Sequence, residues 1–244
     1  MKLTVIGHWG GFPKSNEASS GYLVEHDGFN LLMDCGSAVL SKLQTLIDPQ
    51  ALDAVILSHY HPDHVADIGV LQHALLIGRH LNGRESNLPI YGHSEDKEAF
   101  NKLTYKDITS GYPYNPDGIL HIGPFSITFL KTKHLVPCYA MRVEAGGKVL
   151  VYTADSSYQE SFIEFSRGAS VLLCESNFYK GMNGAAAGHM TSEEAGRLAQ
   201  MAGAETLVLT HLPHFGDLGR LMAEAQEQFS GEVMLAEEGL TLSL

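Results

Sequence analysis

Three imidazoles and a carboxylate fall within the six residues His59-Tyr60-His61-Pro62-Asp63-His64, directly after the apolar run Ala54-Val55-Ile56-Leu57 and Ser58. In an extended segment side chains alternate, so His59 and His61 point to one side. Pro62 turns the chain, and Asp63 and His64 can then face the same space from the turn. Neutral imidazole and carboxylate donors at this density suit zinc and other first-row divalent ions. Three more donors stand alone. His134 follows Phe125–Lys131, Asp155 ends Val149–Ala154, and His211 ends Thr206–Thr210. Singly, each reads as a turn or capping residue. Together they repeat one arrangement, a ligand-type side chain at the C-terminal end of a β-rich run.

The elements that must carry these donors are legible from patterning. Candidate strands are Leu3–Ile6, Gly21–Glu25, Asn30–Met33, Ala54–Leu57, Pro89–Tyr91, Phe125–Lys131, Cys138–Glu144, Val149–Ala154, Ser170–Cys174, Thr206–Leu209, Glu232–Leu235 and Leu240–Leu242. Candidate helices are Ala38–Leu46, Asp67–Leu81, Glu95–Leu103, Gln159–Ser166, Thr191–Met201 and Gly216–Phe229. Thr191 with Glu194 three residues on forms a capping box at the start of its helix. Ala145-Gly146-Gly147-Lys148 is expected to be a hairpin turn. Two segments read as long loops, Thr104–Gly118 with Tyr105, Tyr112 and Tyr114, and the glycine-rich Phe178–Gly188. Such loops serve as substrate lids, as contacts between copies, or as plain surface. Pattern alone gives a mixed α and β protein.

With 244 residues, 44% of them hydrophobic, the chain suffices for one domain with a substantial core, expected over 1–244. Its longest apolar runs are strand-sized, so no transmembrane helix is expected. Met1–Gly7 is too short and too quickly polar for a signal peptide and reads as a first strand. Three scattered cysteines, Cys35, Cys138 and Cys174, argue against a disulfide framework and for a cytoplasmic setting. Sixteen basic against 28 acidic residues give a net charge of −12, with no dense basic cluster. Such a surface repels a long phosphate backbone, while bound cations would keep a cleft locally positive. A small anionic substrate is therefore favoured over a long nucleic acid.

The His-x-His-x-Asp-His run, with His134, Asp155 and His211 following in order, resembles the signature of the metallo-β-lactamase superfamily of hydrolases. The resemblance spans nearly the whole chain. It implies an α/β, four-layer αβ/βα sandwich. It implies two divalent metal ions, zinc first, with manganese or iron as alternatives. His59, His61 and His134 would hold one ion, Asp63, His64 and His211 the other, and Asp155 would bridge them. The nucleophile implied is a hydroxide shared by the pair.

Further motifs resemble the phosphodiesterase branch typified by ribonuclease Z. Gly188-His189-Met190-Thr191 resembles its His-Ser-Thr segment, with methionine in place of serine. Cys174-Glu175-Ser176-Asn177 resembles its His-Glu-Ala-Thr motif and keeps only the glutamate. The implied catalytic residues are Asp63, His189 and Glu175. A buried Glu175 beside His189 would favour the imidazolium, which could donate to a leaving alkoxide. Gly7–Pro13 and Leu32-Met33-Asp34-Cys35-Gly36 read as architectural turns. Asp67 is expected either to bond a ligand histidine or to cap its helix.

One departure bears on substrate. Twenty residues separate His134 from Asp155, whereas tRNA-processing members carry a long basic arm between those ligands. The expected substrate is therefore a small phosphodiester, such as a cyclic nucleotide. Ribonuclease Z-type tRNA cleavage and lactone, ester or thioester hydrolysis on the same metal pair are the alternatives, and a non-enzymatic metal-binding module is the remaining class. A homodimer is compatible with the exposed loops.

Overall fold

The computed structural model describes residues 1–81 and 87–244. The chain divides into two compact units, Lys2–Asn115 with Glu237–Ser243, and Pro116–Ala236 with the two terminal residues.

The first unit is built on one mixed sheet. β1 (Lys2–Gly7), β2 (Gly21–His26) and β3 (Phe29–Met33) form an antiparallel meander. After helix α1 (Val39–Leu43) the connections become crossovers, and β4 (Ala54–Ile56) adds parallel to β3. A short helical turn, α2 (Pro62–Val65), and the long α3 (Ile68–Leu81) follow. The sheet then grows through β5 (Leu88–Gly92), helix α4 (Lys97–Asn101) and β6 (Thr109–Pro113), both strands parallel to their neighbours. Val39, Leu40 and Leu43 of α1, and Ile68, Leu71 and Leu75 of α3, recur at helical spacing. They pack with Leu23, Leu32, Val55 and Ile90 of the sheet in one core. Burial of this stripe, rather than helix propensity, fixes α3 on the sheet.

β6 corrects the expectation of a structureless loop over Thr104–Gly118. Its sequence, Thr-Ser-Gly-Tyr-Pro, carries two residues disfavoured in strands. It is tolerated because β6 is an edge strand, where proline costs no ladder bond on the open side. Tyr114 is no exposed tip: it is buried, and its hydroxyl donates to the Leu57 carbonyl at 3.1 Å.

The second unit holds a second mixed sheet. The short β7 (Leu120–Ile122) precedes β8 (Phe125–Lys131), and β9 (Tyr139–Ala145) and β10 (Lys148–Tyr152) close the expected hairpin. Its turn residues Gly146 and Gly147 have φ of 58° and 74°, the conformation of the two-residue turn that matches strand twist. Helix α5 (Ser161–Phe165), β11 (Val171–Glu175), helix α6 (Ser192–Ala202), β12 (Thr206–Thr210), helix α7 (Leu218–Gln226) and β13 (Glu232–Leu235) complete it. β10, β11, β12 and β13 run parallel. The capping box forms as the sequence indicates: Glu194 N donates to the Thr191 hydroxyl, and the Glu194 carboxylate accepts Thr191 N. The last strand, β14 (Thr241–Ser243), belongs to the first unit and pairs antiparallel with β1.

Candidate metal centre

In the first unit the donors are placed by one turn and one buried carboxylate. β4 ends at Ile56, and Ser58 is gripped by Asp34 at the end of β3. Ser58 N donates to Asp34 Oδ1 at 2.8 Å and Ser58 Oγ to Oδ2 at 2.7 Å. His61, the N-cap of α2, has extended backbone (φ −64°, ψ 148°), and Pro62 then occupies the first helical turn. His59 and His61 come together as expected, with ring centroids 4.8 Å apart. His64 lies 4.1 Å from His59, centroid to centroid. Asp63 Oδ2 accepts Gly11 N at 2.7 Å and lies 3.5 Å from His64 Nε2. The Asp34-Cys35-Gly36 turn presses on the same segment, and a Cβ on Gly36 would lie 1.9 Å from the Asp63 carbonyl oxygen.

Asp34 is the residue that reading the sequence undervalued. Besides Ser58, its Oδ2 accepts His64 Nδ1 at 2.7 Å, with both side chains fully buried. That bond fixes the tautomer: Nδ1 carries the proton, and Nε2 presents its lone pair to a metal. The available signal was a charged residue directly after the buried run Leu31-Leu32-Met33, where an aspartate needs a partner. Asp67 stands at the start of α3, where its carbonyl accepts Leu71 N at 2.7 Å. Its Oδ2 accepts Leu40 N at 2.9 Å and so tethers α1.

In the second unit the donors come from separate strand ends. The parallel register pairs Tyr152 with Leu173 and Glu175 with Thr210, which aligns the ends of β10, β11 and β12. Beyond them Ala154 and His211 adopt left-handed backbone, φ 50° and 52°, a costly conformation that collects at functional sites. Asp155 Oδ2 lies 3.3 Å from His211 Nε2 and 3.7 Å from His134 Nε2. His134 Nδ1 donates to the Gly188 carbonyl at 3.0 Å, which leaves Nε2 as the nitrogen that could meet a metal. Gly188 is required there: its φ is 78°, and a Cβ would stand 2.9 Å from His134 Nδ1. Asn177 Nδ2 donates to the His211 carbonyl at 2.9 Å, holding this left-handed residue in place.

Glu175 and His189 stand beside these donors. His189 Nδ1 donates to Glu175 Oε1 at 2.9 Å, and the same oxygen accepts Ser156 N at 2.7 Å. Glu175 is completely buried, and its carboxylate is compensated by these bonds and a longer one from Asn177 N at 3.4 Å. The His189 ring stacks on His211 at 5.1 Å and meets His134 edge-on at 5.2 Å. Glu175, His189 and His211 could themselves hold a cation by proximity. The Ser156 and His189 bonds already engage the glutamate, which favours a hydrogen-bonded pair over a metal site.

The donor set is chemically suited to divalent ions. It offers imidazole nitrogens whose tautomers are set by Asp34 and Gly188, and carboxylates that balance part of the charge. Among the described residues no helix is long and apolar enough to cross a membrane.

Comparison with known proteins agrees with this chemistry. Residues 29–212 match the model of the beta-lactamase superfamily domain. The chain is 58% identical over 239 residues, 98% of each sequence, to a protein described as "Probable metallo-hydrolase YhfI" of Bacillus subtilis. The crystal structure of YhfI superposes with a TM-score of 0.98, covering 99% of this chain and 98% of that one. Ribonuclease Z of Methanopyrus kandleri is 28% identical over 276 residues, covering 98% of this chain and 96% of that enzyme. The zinc-bound PqqB of Methylobacterium extorquens, 17% identical, shares the fold with a TM-score of 0.79 over 100% of both chains. With its fold, donor types and sequence kinship in agreement, this chain belongs to the metallo-β-lactamase superfamily and is a metal-dependent hydrolase related to ribonuclease Z.

Proposed function

We propose that the protein is a dinuclear phosphodiesterase for a small phosphodiester such as a cyclic nucleotide, acting as one catalytic domain over 1–244. In this reading His59, His61 and His134 would hold one ion, Asp63, His64 and His211 would hold the second, and Asp155 would serve both. Zinc is the metal this set suits best, and a zinc-bound relative supports the choice. When bound, such a pair supplies a water deprotonated near neutral pH and positive charge for phosphoryl oxygens. The three buried free thiols fit a cytoplasmic protein.

The observation that carries the reading is the His189–Glu175 pair at 2.9 Å. Glu175 orients the ring and stabilises its protonated form, so that His189 Nε2 can donate to a departing alkoxide. A hydroxyl leaving group on phosphorus needs that proton, whereas a thiolate does not. Asp63, held by Gly11 N, serves as ligand and as acceptor at the reacting centre.

Ribonuclease Z activity is the second reading, favoured by the full-length similarity to the Methanopyrus kandleri enzyme. Against it stands the tight β9–β10 turn at Gly146-Gly147, with no arm inserted between His134 and Asp155. The net charge of −12 opposes a long phosphate backbone as well. The deciding measurement is kcat/KM for a cyclic nucleotide against a precursor tRNA at matched salt. The small phosphodiester is expected to win. Clean removal of the 3′ trailer at the higher kcat/KM would hand the assignment to the ribonuclease. Efficient lactone or thioester turnover without phosphodiesterase activity would change the reaction class.

A further inference from the structure

Segment 178–188 of the second unit begins with two aromatic residues that pack on a third. Phe178 is fixed by its backbone: Phe178 N donates to the Met190 carbonyl, and its own carbonyl accepts Ser192 N at 2.9 Å. Its ring centroid lies 6.2 Å from that of His189 and 6.2 Å, edge to face, from that of Phe215. Phe215 is braced from behind by buried Tyr179, whose ring lies 5.8 Å away and whose hydroxyl donates to the Phe215 carbonyl at 2.9 Å. Phe215 nevertheless leaves 46% of its surface exposed, and Met182 (43%) and Leu135 (73%) are exposed beside the same loop and His134. Large apolar side chains held this firmly and still open to water mark a binding surface more often than a core.

We propose that Phe178 and Phe215 form a stacking platform for the flat organic group of the substrate, a nucleobase or comparable aromatic ring, on the side of the leaving group that His189 would protonate. The inference rests on the phosphodiesterase reading for the kind of substrate and adds what the enzyme recognises besides phosphate. Aromatic faces bind bases with little regard to their edges, so the platform selects nucleotides over bare sugar phosphates without choosing strongly among bases. Phe215 is the specificity-determining residue, because Tyr179 and Phe178 fix its ring while its exposed face stays available.

The test uses calorimetry on the metal-loaded full chain with adenosine 5′-monophosphate and ribose 5-phosphate, which differ only by the base. The nucleotide is expected to bind about tenfold more tightly, in line with base–aromatic stacking. Phe215→Ala should erase most of that ratio, and Phe215→Tyr should keep it. In turnover, Phe215→Ala should raise KM for an adenosine cyclic phosphate about tenfold while kcat holds. A base-free ribose cyclic phosphate should change far less. Equal binding of the two ligands by the unmodified protein overturns the platform, and so does an equal loss of both in Phe215→Ala. If no phosphodiester is hydrolysed but the Phe215-dependent binding ratio is found, the functional reading fails and the platform stands.

Discussion

The two donor-bearing regions solve one chemical problem in different ways. In the first unit, His59, His61, Asp63 and His64 are neighbours in sequence, and a strand end, a proline and one buried aspartate place them all. In the second, His134, Asp155, His189 and His211 come from four separate segments; the parallel register of β10, β11 and β12 aligns the strand ends before Asp155 and His211, and contacts from Gly188, Asn177 and Glu175 hold the set. The local set depends on few contacts and is robust to distant change. The dispersed set depends on register, on left-handed backbone at Ala154 and His211, and on hydrogen bonds from outside the donor set. Positioning contacts should therefore weigh more heavily in the second unit, and the variants below test that contrast.

The largest effect is expected at Asp155, which lies against both His134 and His211. Asp155→Ala should abolish hydrolysis and lower bound metal from about two ions per chain, with the circular-dichroism spectrum unchanged. Full activity with one ion per chain in the unmodified enzyme would remove the two-metal reading.

Next is the pair with no ligand role. His189→Ala should lower turnover of alkyl phosphodiesters by about 10²–10⁴-fold with metal content intact, the usual size of a general-acid contribution. Glu175→Gln should show part of the same defect, because it removes the charge that holds the imidazolium. Both losses should shrink for a nitrophenolate leaving group, which departs without a proton. An unchanged rate on alkyl substrates would return His189 to a purely structural role.

Asp34 offers the counterpart in the first unit. Asp34→Asn keeps the shape but weakens the acceptor for His64 Nδ1. Metal affinity should fall by about 10–100-fold, typical of removing a partner behind a ligand, and saturating metal should restore most of kcat. Glu175→Gln should behave in the opposite manner, losing kcat without losing metal. If both variants lose metal alike, the contrast between the units is wrong.

The smallest effect on chemistry is expected at His8, where the issue is stability. His8 is 5% exposed, and burial lowers its pKa from 6.5 to about 4, against the opposing pull of Glu17 and Glu238. The unfolded chain therefore takes up this proton before the folded one as pH falls. The stabilisation is present above pH 6.5 and is lost as pH drops towards about 4, amounting to about 2 kcal/mol lost by pH 5. Denaturant unfolding of His8→Gln beside the unmodified chain should show a flatter pH dependence across that window. Parallel curves would remove His8 from the account.

Much of this was legible in the chain itself, because the relevant signals are local. The proline at 62, the capping box at Thr191 and the Gly146-Gly147 turn each act within a few residues, and each has the expected form. Helix ends were less legible: α7 spans Leu218–Gln226 rather than Gly216–Phe229, since Asp217 caps it through Gly219 N. β6 escaped notice because its residues suit a strand only at a sheet edge, and edge position is a property of the assembled sheet. Asp34 and Asp67 show the same division. Both are aspartates near a turn, and nothing in their neighbours in sequence says that one orients His64 across 30 positions while the other tethers Leu40. Residue type and spacing are what single out the candidate donors. Donor orientation, meaning which nitrogen is free and which carboxylate is already engaged, was settled by tertiary contacts, because a hydrogen bond between distant residues leaves no periodic trace in the sequence.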